Sequence, residues 1–208
     1  MLKGIIFDFD GVIAESVQIK TEAFASLYNQ YGTNVINKVI DHHEENGGMS
    51  RFEKIKFYHT SYLNKMISDD EINELANQFS KLVVKRVIKS PYVPGAIEYI
   101  EKSYSNYALF ISTGTPTIEI KQILQGRNIN HYFTDVFGSP EEKTDHLNQI
   151  LFNYHLKPNE MIFYGDSKTD YIAAKNTKIP FVLIKNSFNK SFSESYKGEI
   201  INNFKDVA

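Results

Sequence analysis

A chain of 208 residues suits one large domain, or a domain with a modest insertion, and can bury a core without disulfide or metal staples. Its 42% apolar and 23% charged content is that of an ordinary globular protein, and a formal charge of −2 offers no basic field for nucleic acid or membrane. The absence of cysteine excludes disulfides, thiolate zinc sites and thiol nucleophiles. The apolar run before Asp8 is too short for a secretion signal or a membrane span, so a cytoplasmic protein is expected.

Residues 4–9 are β-branched and aromatic and are closed by Gly11, the pattern of a buried strand. From 16 to 88 the texture becomes helical. Val17, Phe24, Leu27 and Tyr28 share one face, and Ile72, Leu75, Ala76 and Phe79 repeat the spacing. Ser68-Asp69-Asp70-Glu71 reads as a capping box, and Asn46-Gly47-Gly48 as a helix stop. Pro91 and Pro94-Gly95 then punctuate the chain, with Pro94 expected in the first turn of a helix reaching Tyr104. Strands are expected at 107–112, 135–137, 161–164 and 181–184. Between them, Thr115-Pro116 and Ser139-Pro140-Glu141-Glu142 predict capped helix starts, and a further helix surrounds 171–175. Residues 128–133 read as a helix end and turn. The tail from Asn186 is polar, with Ile200, Ile201 and Phe204 available for packing.

Strands alternating with helices imply an α/β fold, a doubly wound parallel sheet of Rossmann type. An all-helical cap is inserted after its first strand. The expected domains are a catalytic core of 1–15 and 90–208 and a cap of 16–89.

Ligand sites of such sheets lie beyond the carboxyl ends of the strands. Four polar groups fall there: Asp8 with Asp10, Ser112-Thr113-Gly114, Lys143, and Gly165-Asp166-Ser167 with Asp170. Asp8, Asp166 and a main-chain carbonyl near Asp10 make a hard oxygen site suited to Mg²⁺, which offsets repulsion between a carboxylate nucleophile and a phosphate dianion. Thr113, the Gly114 amide and Lys143 could hold the transferring phosphoryl oxygens. Asp10 is close enough to act as general acid and then base. Each piece has a plain alternative: helix caps, a turn, a solvated lysine. Their conjunction at strand ends points to phosphoryl transfer.

In this order the four segments resemble the motifs of the haloacid dehalogenase superfamily, phosphatase branch. Asp8-Phe9-Asp10-Gly11-Val12 is similar to its first motif, Ile111-Ser112-Thr113-Gly114 to its second, Lys143 to its third and Gly165-Asp166-Ser167-Lys168-Thr169-Asp170 to its fourth. The resemblance spans nearly the whole chain, since the helical insertion looks like the family's helical cap. It implies that Asp8 attacks phosphorus to give an aspartyl-phosphate, and that Asp10 protonates the leaving alcohol and then activates water. It also implies a Mg²⁺ site built from Asp8, Asp10, Asp166 and Asp170, with Asp166 a direct ligand and Asp170 direct or through water. Thr113 is favoured over Ser112 as the phosphate-binding hydroxyl. The family's dehalogenases lack the second aspartate and its transport ATPases carry threonine there, so Asp10 argues against both. Relatives of phosphoglucomutase type share a cap Ser-Arg like Ser50-Arg51, but place a histidine where this chain has Lys20; a phosphosugar mutase is the alternative to hydrolysis. Glu15-Ser16 departs slightly from the usual Asp-Ser at the cap hinge. A phospho-accepting receiver domain would share the Asp, Mg²⁺, Thr and Lys, but has no helical insertion and leaves Asp10 unexplained.

The expected partner is a small phosphorylated metabolite, with no nucleic acid or membrane involved. Arg51, Lys54 and Lys20 are the cap candidates for substrate contact, Arg51 standing equally for a partner of some glutamate. His42-His43-Glu44-Glu45 reads as a solvated cap face rather than a metal site. Tyr58, Tyr62, Phe79 and Tyr99 read as core.

Overall fold

The structure, a computed structural model, describes residues 1–207. After strand β1 (Gly4–Phe7) come four helices, α1 (Val17–Leu27), α2 (Thr33–Glu45), α3 (Arg51–Phe57, extended by a π-helical turn over Tyr58–Tyr62) and α4 (Asp69–Lys89). Ser50 and Ser68 cap α3 and α4 with complete capping boxes, through Glu53 and Glu71. The outgoing and returning linkers pair: Glu15 N donates to Pro91 O at 2.9 Å and Val93 N to Ile13 O at 3.0 Å. Then follow α5 (Ala96–Ser103), β2 (Ala108–Pro116), α6 (Thr117–Gly126), β3 (Asp135–Ser139), α7 (Lys143–Asn153), β4 (Met161–Gly165), α8 (Lys168–Thr177), β5 (Phe181–Ile184), α9 (Lys190–Ser195) and β6 (Glu199–Ile201).

The strands form one sheet in the order β3-β2-β1-β4-β5-β6, every pair parallel. This is the doubly wound α/β architecture. Successive side chains go to opposite faces. Ile5, Phe7, Leu109 and Ile111 therefore join one apolar layer with Ile100 of α5 and Ile120, Ile123 and Leu124 of α6. Ile6, Phe110 and Phe163 join the other with Leu147 and Ile150 of α7 and Ala173 and Ala174 of α8. Burial on both faces explains the near-continuous apolar runs of these strands.

Three expected helix starts are displaced, two of them by the sheet. β2 runs through Pro116 and β3 through Ser139, which pair with each other, so these residues extend strands instead of opening helices. α6 begins at Thr117, and α7 begins at Lys143 with no side-chain cap from Glu142. Pro94 lies ahead of α5, whose first residue follows Gly95 at φ 79°. The tail holds more structure than its composition suggests. β6 pairs with β5, and the Phe204 ring packs 5.2 Å from both Tyr99 and Tyr164. Among the described residues, no helix is long and apolar enough to cross a membrane.

Candidate active site

The strand order changes direction between β1 and β4, and a cleft of about 490 Å³ opens beyond their carboxyl ends, between the sheet rim and α1–α4. Asp8, the first residue after β1, is buried, and its Oδ1 accepts from Phe9 N at 2.7 Å. Lys143, at the start of α7, puts Nζ 3.0 Å from Asp8 Oδ2 and 2.5 Å from Asp170 Oδ1. Asp170 is fixed by the N-cap of α8, its Oδ2 accepting from Ser167 N at 3.0 Å and from Ser167 Oγ at 2.5 Å. Asp166 follows β4; Asn186 Nδ2 donates to its Oδ2 at 2.8 Å, and Asn189 Nδ2 to its main-chain oxygen at 2.8 Å. Gly11 turns the chain at φ +77°, and a Cβ there would come 2.2 Å from Asp166 Oδ2.

One carboxylate oxygen each from Asp8, Asp166 and Asp170 lies within 4.8 Å of the others. Burial, then the neighbouring carboxylates, push Asp166 well above the usual carboxylate range. Burial also raises Asp8; the Lys143 ammonium opposes this, while Asp170 and Asp10 add to it. One lysine thus serves three clustered carboxylates. A group of hard oxygens with uncompensated negative charge, and no imidazole or thiolate, fits a divalent cation of the Mg²⁺ type.

Asp10 stands apart from that group. Ser16 Oγ donates to its Oδ1 at 2.6 Å, Thr115 Oγ1 to its Oδ2 at 3.2 Å, and Lys20 Nζ forms an ion pair with Oδ2. Burial raises its pKa, but Lys20 and these hydrogen bonds outweigh burial and leave it below the usual range. The expected cation site draws on a main-chain carbonyl near Asp10, and the Asp10 carboxylate itself is committed to Lys20, Ser16 and Thr115. Thr113 and Gly114 line the cleft, and Thr113 Oγ1 accepts from Thr115 N at 3.2 Å. Ser112 bonds His146 Nδ1 at 3.0 Å. A Cβ on Gly114 would come 2.6 Å from Gly48 O, so this glycine lets the helical layer close onto the rim.

The three cap cations have different surroundings. Lys20 bridges Asp10 and Thr115 Oγ1, the latter at 2.7 Å. Arg51 is buried in a bidentate pair with Glu119 of α6, donates to Ser80 Oγ at 2.6 Å and lies 4.6 Å from the Phe79 ring centroid. Of its two expected roles, the structure shows the partner of a glutamate. Lys54 is buried, with Nζ 2.8 Å from His43 Nδ1. The expectation of a solvated His42-His43 face fails for His43, which is buried against Phe24 with ring centroids 4.9 Å apart. Two histidines adjacent on a helix point apart, so one can be buried while the other is half-exposed. Tyr58 and Phe79 are core, as expected; Tyr62 and Tyr99 are only partly buried and pack against it.

Sequence reasoning missed Ser16, Thr115, Glu119, Asn186 and Asn189. The asparagines follow the strand at 181–184 and were open to the same strand-end rule that found Asp166. Thr115 was assigned to a helix cap. Nothing in the sequence marks Glu119, whose partner is 68 residues away.

A family model described as haloacid dehalogenase-like hydrolase matches residues 5–184. The chain belongs to that family, and it is an enzyme of the phosphatase branch. Relatives include phosphoglycolate phosphatases of Vibrio vulnificus, 26% identical over 184 residues (84% of this chain, 80% of that one), and of Photorhabdus laumondii, 26% identical over 215 residues (99% and 91%). In fold it is similar to a β-phosphoglucomutase of Clostridium difficile, with TM-score 0.80 and 17% identity, covering 100% of this chain and 94% of that one. It is also similar to a predicted phosphoglycolate phosphatase of Haemophilus somnus, with TM-score 0.77 and 22% identity, covering 99% and 96%.

Proposed function

We propose that the protein hydrolyses a small phosphate monoester, using Mg²⁺ and a covalent intermediate on Asp8. The observation that carries this reading is the cluster of Asp8, Asp166 and Asp170 with Lys143 bridging two of them, at the floor of a cleft lined by Thr113 and Gly114. Asp8, Asp166 and Asp170 would hold the cation, with the main-chain carbonyl of Asp10 as a further oxygen. When bound, Mg²⁺ offsets the repulsion between carboxylate and phosphate and keeps Asp8 ionised.

Asp8 Oδ attacks phosphorus, the bond to the ester oxygen breaks, and Asp10 gives that oxygen its proton. Lys143, Thr113 and the Gly114 amide hold the phosphoryl oxygens as charge spreads over them. Asp10, now ionised, takes a proton from water as it attacks the aspartyl-phosphate, which releases phosphate and restores Asp8. Lys20 and Thr115 favour the ionised Asp10 that the second step needs, so turnover depends on how firmly Lys20 holds it. Residues 16–89 act as the cap that covers the cleft and selects the ester.

Hydrolysis is preferred to transfer between phosphosugar positions because Arg51 is already taken by Glu119 and Lys20 stands in the histidine's place. Turnover of p-nitrophenyl phosphate with Mg²⁺, trapping of phosphate on Asp8 by rapid quench, and product analysis with a hexose 1-phosphate test the reading. Full activity after Asp8→Asn, or phosphate migration without release, overturns it.

A further inference from the structure

Lys54 is the one cation buried in the cleft wall for which, among the described residues, the structure gives no ion pair; Lys20 and Arg51 each have one. Its contacts are the His43 Nδ1 at 2.8 Å, the His43 main-chain oxygen at 3.3 Å and the Phe24 ring centroid at 5.8 Å. An isolated charge held in an apolar wall costs several kcal/mol unless something compensates it. Among the described residues no carboxylate contacts it, Asp10 and Glu53 acting on it only from beyond ion-pair distance, and the side chain lines the cleft.

Building on the phosphatase reading, we propose that Lys54, positioned by His43, receives a single carboxylate at the end of the substrate remote from its phosphoryl group. An ammonium has three N–H bonds, and two are directed at His43, which leaves one for a ligand oxygen. One donor suits a monoanionic carboxylate. A second phosphate would call for a fork such as Arg51, which Glu119 already occupies. Asp41, Glu44 and Glu45 of α2 also line the cleft and disfavour a multiply charged anion.

The groups facing Lys54 are His43 of α2, Lys20 of α1, Glu53 on its own helix, Asp10 after β1 and Lys143 of α7. Burial, then Lys20, hold Lys54 down to about 7, while burial and the neighbouring lysines keep His43 neutral. An arriving carboxylate favours the charged lysine, so binding takes up a proton at mildly alkaline pH.

The test compares 2-phosphoglycolate with 2-hydroxyethyl phosphate, which replaces the carboxylate by a hydroxymethyl group. The wild-type protein is expected to favour the first by about ten- to hundredfold in kcat/KM, the worth of one charge-assisted hydrogen bond. Lys54→Met should bring that ratio near one, the loss falling on KM for 2-phosphoglycolate, and His43→Gln should lower it less. Calorimetry on Asp8→Asn protein at about pH 8, in buffers of different ionisation enthalpy, should show uptake approaching one proton with 2-phosphoglycolate and none with its partner. A wild-type ratio near one, a ratio unchanged in Lys54→Met, preference for a bisphosphate over both esters, or equal proton uptake overturns the assignment. Because calorimetry reads binding, lack of turnover of every ester overturns the phosphatase reading alone.

Discussion

On the sheet side of the cleft, Lys143 stands between Asp8 and Asp170 while Asp166 adds a third buried carboxylate. On the helical side, Lys54 is buried with a neutral histidine as its nearest partner. The buried charges of the two walls differ: on the floor carboxylates outnumber the lysine, whereas on the helical side Lys54 has no carboxylate in contact, the acidic Asp41, Glu44 and Glu45 lying nearer the solvent. On the readings proposed above, the floor would take a cation and Lys54 a carboxylate, which would orient an ester with phosphoryl group down and carboxylate up. Arg51 and Glu119 show the contrast from between the two walls: that pair joins the helical layer to α6, and it compensates itself.

The largest expected effect breaks the floor. Asp8→Asn should lower kcat for p-nitrophenyl phosphate by about ten-thousandfold or more. Chelation should abolish activity reversibly, with Mg²⁺ restoring it. Next comes Lys143→Met, which leaves Asp8 and Asp170 without their shared counter-charge. A loss of about 3–5 kcal/mol is expected in denaturant titrations without Mg²⁺, and a smaller loss with it, because the cation takes over part of the compensation. If Mg²⁺ gives no relief, the carboxylate cluster does not bind it.

Glu119→Gln should cost about 2 kcal/mol, since the amide oxygen still accepts one guanidinium N–H. The freed Arg51 should also raise kcat/KM for bisphosphate esters relative to 2-phosphoglycolate, which sharpens the distinction between a self-compensated and an open cation. The smallest change expected is in Lys20→Met. Lys20 helps hold Asp10 below its usual range, so removing it raises that pKa. The alkaline limb of the pH–rate profile, where Asp10 must still carry its proton, should then move to higher pH. A downward move would mean that Asp10 is not the proton donor.

The sheet was legible because its strands are buried on both faces and leave unbroken apolar runs; 4–9, 161–164 and 181–184 fall on β1, β4 and β5. β6 was not, because Glu199-Ile200-Ile201 is too short to show a period. The helix starts after Pro116 and Ser139 were misplaced because local capping patterns ignore pairing to a distant strand.

What the sequence determined by itself is the floor of the site. Asp8 and Asp166 follow strands, Lys143 opens a helix and Thr113 lies in the last half of β2, and a parallel sheet brings all such ends to one rim. Only the tertiary structure decided which charges are open. Whether Arg51 faces substrate or Glu119, whether Asp10 turns to a cation or to Lys20, and whether His43 is wet or buried depend on contacts across the cleft. Arg51 and Glu119 are 68 residues apart, and even the nearer contacts, Asp10 with Lys20 and His43 with Lys54, join different elements, so neither spacing nor periodicity encodes them.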